Sequence, residues 1–258
     1  MREPGLEEAI RAAGGVGQLA RQIGISQPSV SNWFRVPAER VISVEATTGV
    51  DRAVLRPDLY GGKEVSEEVD EVDTARAQEY ALLAALLMRA PDAALLSKIS
   101  KLRADASPLG VAHAALAEAA EKTTAEKTDR EFFDLFIGLG RGELMPYGSY
   151  YLTGFLHERP LARLRDDLAK IGVARAEGVV EPEDHVGILC EIMSGLVSQR
   201  LPAPPDADRM IFTKHMAPWI GRFFTDLENA AAAGFYKRLG TLGRVYMDIE
   251  AEAFDLPA

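Results

Sequence analysis

The chain has one cysteine, Cys190, and four histidines in 258 residues. A lone cysteine excludes an intrachain disulfide, and so few thiols and imidazoles leave no structural zinc site to expect. No metal or cofactor is expected, and this cysteine usage points to the cytoplasm. Nowhere do the apolar residues approach the ~20 unbroken positions that a membrane helix needs, so no membrane partner is expected. The opening MREPGLEEAI is acidic and amphipathic, without a signal-peptide apolar core. Also missing is any strand-like alternating run bounded by turns, and no fixed period repeats. The expected fold class is therefore all-α.

What is present is 47% hydrophobic and 26% charged, enough for a core and for one or two domains. The net charge of −10 is unevenly spread. Residues 1–62 balance seven Arg against seven acids, whereas residues 63–73, KEVSEEVDEVD, set one Lys against six acids. That stretch reads as a solvated linker or an exposed helix start. It separates domains expected at 1–62 and 74–258.

In the first domain, VGQLARQIGISQPSVSNWFR reads as two short helices, over residues 16–23 and about 27–35, joined by a tight turn. Leu19, Ile23, Ile25, Val30 and Trp33 fall where crossing helices need inward side chains. Gly24 suits the turn, Ser26 can cap the second helix, and Pro28 fits its first turn. This is helix-turn-helix spacing, whose second helix enters the DNA major groove. Its outer face would carry Gln27, Ser31, Asn32 and Arg35, side chains able to read base edges or hold phosphate. Arg21, Arg35 and Arg40 would supply a local basic patch. A helical hairpin without a DNA role fits the same pattern. Together with VPAER at 36–40 and LRPDLY at 55–60, the segment resembles the YdaS-like, Cro-type helix-turn-helix family. The resemblance implies a compact four- or five-helix DNA-binding domain, often working as a homodimer on paired half-sites.

Beyond residue 73 the pattern is helical almost throughout. Pro91 marks a break, Ser107 and Asp129 are candidate caps, and one helix runs from Pro160 to Gly172. The acids at 181, 183 and 184 suit the start of another helix. Three glycines, Gly138, Gly140 and Gly142, alternate through FIGLGRGELMPYGSYYLTG. Phosphate-cradling glycine loops follow a strand and open a helix. Here the glycines follow a helix, so a helix end and a compact turn are expected instead. Asp184 beside His185 invites a nucleophilic triad, but Ser149 lacks the strand-to-helix elbow such a serine needs. Glu131 and Glu143 have no sequence context that would make them an acid pair. The chain is not expected to be an enzyme.

EFFDLFIGLGRGELMPYGSYYLTG, EPEDHVGILCEIM and FTKHMAPWIGRFF together resemble the TorD/DmsD/NarJ group of redox-enzyme maturation chaperones, over about residues 74–250. The resemblance implies an all-helical chaperone that binds the twin-arginine signal peptide of a molybdopterin oxidoreductase precursor. Formate dehydrogenase and the dimethyl-sulfoxide or trimethylamine-oxide reductases are the client classes it implies. Such a peptide offers an arginine pair and an apolar stretch. On that reading Asp184 is the arginine partner, with Glu181, Pro182 and His185 beside it. Tyr147, Tyr150 and Tyr151 would line the groove. Asp184 as a simple helix cap and His185 as a structural histidine are the plain alternatives. The N-terminal domain is an addition to that group's pattern, which opens a second function: a transcription regulator that senses precursor.

Overall fold

The computed structural model describes residues 2–57, 59, 71–175 and 180–255. Among these the only β feature is an isolated antiparallel bridge between Tyr147 and His185, and everything else regular is helical. The all-α expectation is met. The chain divides into two compact units, Met1–Val69 and Asp70–Ala258.

The first unit holds α1 (Pro4–Ala12), α2 (Val16–Gln22), α3 (Gln27–Ser31), a 3-10 turn (Ala38–Arg40), α4 (Val41–Thr48) and α5 (Arg52–Leu55). Leu19, Ala20, Ile23 and Val30 are buried with Leu6, Ala9 and Val44 in one core, and Ile25 and Trp33 pack against its edge. Ser26 caps α3, its Oγ accepting from Ser29 N at 3.4 Å. α3 ends at Ser31, not near Arg35 as the sequence suggested. The cause is Val36, which is fully buried and whose carbonyl accepts from Arg56 Nη1 at 2.8 Å. To reach that seat the chain must leave the helix. Asn32 is thus the C-cap of α3, and Arg35 lies in the bend beyond it.

Most of the acidic stretch at 63–73 lies outside the described residues. Its last three residues form the first turn of α6 (Glu71–Met88). The second unit continues with α7 (Ala93–Ile99), α8 (Pro108–Lys122), α9 (Ala125–Phe132), α10 (Gly148–Thr153), α11 (Arg159–Lys170), α12 (Val186–Val197), α13 (Ala207–Ile211), α14 (Ile220–Asn229) and α15 (Phe235–Asp255). α12 is nearly all apolar and packs along α6, while α15 packs on α14 and α8. One ionic cluster ties three helices together. Arg76 of α6 meets Glu250 of α15 at 2.8 Å and Asp208 of α13 at 3.2 Å, and Tyr80 donates to the same Glu250 at 2.9 Å.

Ser107 caps α8 as expected, accepting from Gly110 N at 3.0 Å. Asp129 caps nothing: α9 starts four residues earlier, at Ala125, and Thr124 is its cap. The glycine segment is a helix end. A π turn (Phe133–Ile137) closes α9, and the chain then doubles back so that Leu144 N donates to Leu135 O at 2.8 Å. Gly138 takes φ +62°, and a Cβ there would stand 2.1 Å from Arg141 O. The turn requires glycine because backbone returns across backbone, and no helix opens onto the loop.

Candidate functional site

Two loops meet at the starts of α10 and α12. Pro146 O accepts from Val186 N at 2.8 Å, and Asp184 O accepts from Gly148 N at 2.9 Å. This short bridge presses two helix N-termini together, each with unsatisfied backbone donors to meet. Asp184 meets one set: its Oδ2 accepts from Ser149 N, in α10, at 2.7 Å. His185 meets the other: its Nδ1 accepts from Gly187 N, in α12, at 3.1 Å. Asp184 is 4% exposed and His185 6%. The helix that Asp184 caps is therefore not the one that follows it, and His185 is the cap of α12.

Burial pushes the His185 imidazole down to about 4, against the pull of Glu181 and Asp184. It is neutral at pH 7, with Nδ1 as the acceptor. The Tyr147 ring meets the His185 ring edge-on at 5.2 Å between centroids, and its hydroxyl donates to Glu181 Oε2 at 2.7 Å. Burial, and then Glu181, push the Tyr147 phenol well up. Glu181 and Pro182 are half-buried at the lip of the turn. Thus Tyr147, Glu181, Pro182, Asp184 and His185 form one assembly.

The other two tyrosines point elsewhere. Tyr150 accepts from Arg141 Nη2 at 2.6 Å and lies under its guanidinium. Tyr151 is 9% exposed; it donates to Asp226 at 2.9 Å and packs on Trp219 and Phe223. It is a core residue. Asp184→Ala should destabilise the second unit by about 2 kcal/mol, because a buried N–H loses a charged acceptor. Asp184→Asn, which keeps an acceptor oxygen, should recover part of that in urea titrations. An alanine variant as stable as the parent would sink the capping role.

Two cavities flank the turn. One, of about 380 Å³, has Gly148, Leu152, Asp184 and Leu164 on its walls with Asp167, Lys214 and His215. Lys170, then His215, hold the Asp167 carboxyl down at about 2. The other, also about 380 Å³, opens between α6, α11 and α12, with Met88, Leu168, Ile188, Ile192 and Leu201 around Glu181, Glu183 and Glu191. The sequence reading assigns neither Met88 nor Glu191 to the site individually. For Glu191 the available signal is the three- and four-residue spacing of α12, which puts 188, 191, 192 and 195 on one face. Among the described residues no cluster of His, Cys, Asp and Glu could hold a metal ion.

In the first unit, Gln27, Ser31, Asn32, Arg35 and Arg21 are all exposed. Gln27 and Ser31 stand on α3 and Asn32 ends it. Arg21 stands on α2, where its Nε donates to Gly17 O at 3.4 Å.

Comparison with known proteins divides at the same place. The family model described as "Bacterial toxin YdaS" matches residues 6–64, and that described as "Nitrate reductase delta subunit" matches residues 102–225. Chaperone protein TorD of Vibrio cholerae serotype O1 (El Tor Inaba N16961) is 25% identical over 134 residues, 48% of this chain and 61% of TorD. The Tat proofreading chaperone DmsD of Haemophilus influenzae is 27% identical over 124 residues, 47% of this chain and 59% of DmsD. The match thus spans about three-fifths of these curated relatives. A solved redox enzyme maturation protein from Archaeoglobus fulgidus aligns with 67% of this chain and 93% of its own, at 21% identity and a TM-score of 0.45. The relatives are named as chaperones, in agreement with a non-enzymatic reading. No helix among the described residues is long and apolar enough to cross a membrane. The chain joins an N-terminal unit that matches the YdaS family to a C-terminal unit that matches the nitrate reductase delta subunit family and is similar to the TorD and DmsD chaperones.

Proposed function

We propose that the protein is a cytoplasmic maturation chaperone. It binds the twin-arginine signal peptide of a molybdopterin oxidoreductase precursor, and its first unit binds DNA. The observation that carries this reading is the match over residues 102–225, which contains both the loop at 146–148 and the turn at 181–185, joined here into one assembly. Similarity to TorD and DmsD gives that assembly a precedent as a chaperone. The chemistry is consistent: half-buried carboxylates sit beside apolar cavities, as a peptide with arginines and an apolar stretch requires. For DNA the support is the pair α2–α3 with Gln27, Ser31 and Asn32 turned outward.

A second reading has the protein regulate transcription in response to precursor. It is favoured by α6, which runs unbroken from Glu71, next to the unit boundary, to Met88 in a cavity wall. On that reading peptide and DNA must change each other's affinity by the same factor. The test is fluorescence anisotropy of the full chain with a labelled twin-arginine peptide, with and without DNA from its host's promoters. Replacing both arginines of the peptide by glutamine should weaken binding about tenfold or more. Equal affinity for the two peptides would sink the chaperone reading. DNA affinity indifferent to saturating peptide would leave the chaperone without the regulator.

A further inference from the structure

The first unit has no net charge to draw it onto a polyanion, since residues 1–62 balance seven Arg against seven acids. α3, which faces the DNA on the reading above, is Gln-Pro-Ser-Val-Ser and holds no charge itself. A phosphate beside it must therefore be met from neighbouring elements. Two arginines are fastened at its two ends. At the far end, Arg2 Nη2 donates to the carbonyl of Ser31, the last residue of the helix, at 3.1 Å. The next residue holds the chain there, Glu3 N donating to Phe34 O at 2.9 Å. At the near end, Arg21 Nε donates to Gly17 O at 3.4 Å. A Cβ on Gly17 would stand 3.4 Å from Oε1 of Gln27, the first residue of α3. Neither arginine pairs with a carboxylate among the described residues, whereas Arg52 is held by Glu45 at 2.8 Å. Of the others, Arg35 lies in the bend after α3 and Arg56 is buried against Val36. Arg11 and Arg40 are exposed, but among the described residues neither side chain bonds to α2 or α3.

We propose that Arg2 and Arg21 are paired phosphate clamps that bracket α3 on duplex DNA. The proposal rests on the DNA reading above and adds Arg2, a contact from outside the helix-turn-helix pattern. α3 is about 7 Å long against a major groove about 12 Å wide, so a guanidinium at each end stands towards a lip of the groove, where the phosphates run. Each guanidinium carries more N–H donors than the one it uses here. The two clamps set register and orientation whatever the sequence, while Gln27, Ser31 and Asn32 face the base edges.

The test is fluorescence anisotropy of the full chain with a labelled mixed-sequence duplex of about 30 base pairs, between about 50 and 200 mM salt. Arg2→Gln and Arg21→Gln each keep a side-chain donor and lose the charge. Both should melt as the parent does by circular dichroism, because the bonds they alter lie at the surface. Each should bind about tenfold more weakly at the low-salt end. Each should also lower the slope of log affinity against log salt by about one, and the double variant by about two. Arg11→Gln, exposed on α1, should behave as the parent. A weaker affinity at unchanged slope would mean that the arginine only shapes the end of α3, and overturns the proposal. A parent-like slope and affinity in either variant overturns it too, as does an equal fall in slope for Arg11→Gln, which would mean diffuse charge. In all three cases the DNA reading stands. If the parent itself shows no salt-dependent binding, the proposal and the DNA reading fall together.

Discussion

Glu131→Ala should cost the second unit about 3 kcal/mol, roughly 6–12 °C in Tm for a unit of this size. The reason lies at the start of α15, the longest helix among those described. Glu131 Oε1 accepts from Gly234 N and Tyr236 N, both at 2.6 Å, and Oε2 accepts from Phe235 N at 3.0 Å. One carboxylate thus serves three backbone donors at a helix N-terminus, where the peptide dipoles also favour negative charge. No water can replace all three at once, because Tyr236 is fully buried and α15 packs on α8 and α14. Glu131→Gln keeps one acceptor oxygen and should fall between the parent and Glu131→Ala. Urea titrations read this directly, and a loss under about 0.5 kcal/mol, the level of an ordinary surface substitution, would show that the clamp is not structural. Glu143 makes a lesser version of the same contact, accepting from Ala231 N at 2.7 Å and Ala232 N at 2.9 Å. The two glutamates that the sequence offered as a doubtful acid pair hold down one connection between helices.

His185 should make the second unit acid-sensitive. Its folded value of about 4 lies below the 6.5 of an ordinary imidazole. Above pH ~6.5 both the folded and unfolded chains carry it neutral, and it adds no pH dependence. Below that, the unfolded chain takes up the proton first. Stability is therefore lost as the pH falls from about 6.5 to about 4, and no more is lost below. The full loss from this residue is about 3 kcal/mol. Protonation also removes the Nδ1 acceptor and with it the cap of α12. His185→Asn keeps an acceptor at the cap position and does not titrate. The parent's stability relative to His185→Asn should thus fall by about 2–3 kcal/mol between pH 7 and pH 4. A difference that stays flat across that range would mean the imidazole is hydrated in solution.

These two residues also show where sequence reading stops. Local rules worked where both partners lie within one turn. Ser26 and Ser107 cap the helices they precede, and the glycines at 138 and 142 end a helix as their spacing implied. Asp184 and Asp129 have the same local credentials as caps, yet one caps a helix 35 residues upstream and the other caps none. Which helix a carboxylate serves depends on which loops meet, and the bridge between Tyr147 and His185 decides that. The extent of α3 failed for a similar reason, since the burial of Val36 is a tertiary demand that helix propensity does not register. The tyrosines were grouped by adjacency, but successive helical residues face different ways, and Tyr151 turns inward while Tyr150 meets Arg141.

Cys190 lies on α12 with no exposure at all, and burial pushes its thiol far up. A thiol that neither ionises nor meets solvent does not react with alkylating reagents. To a maleimide dye, the native chain is therefore blank. A cysteine introduced at exposed Ser31 in the first unit, and another at exposed Ala174 in the second, would be the only sites to label. Wild-type sequence elsewhere can be kept intact, and a donor–acceptor pair on those two sites would report the distance between the units as peptide or DNA is added.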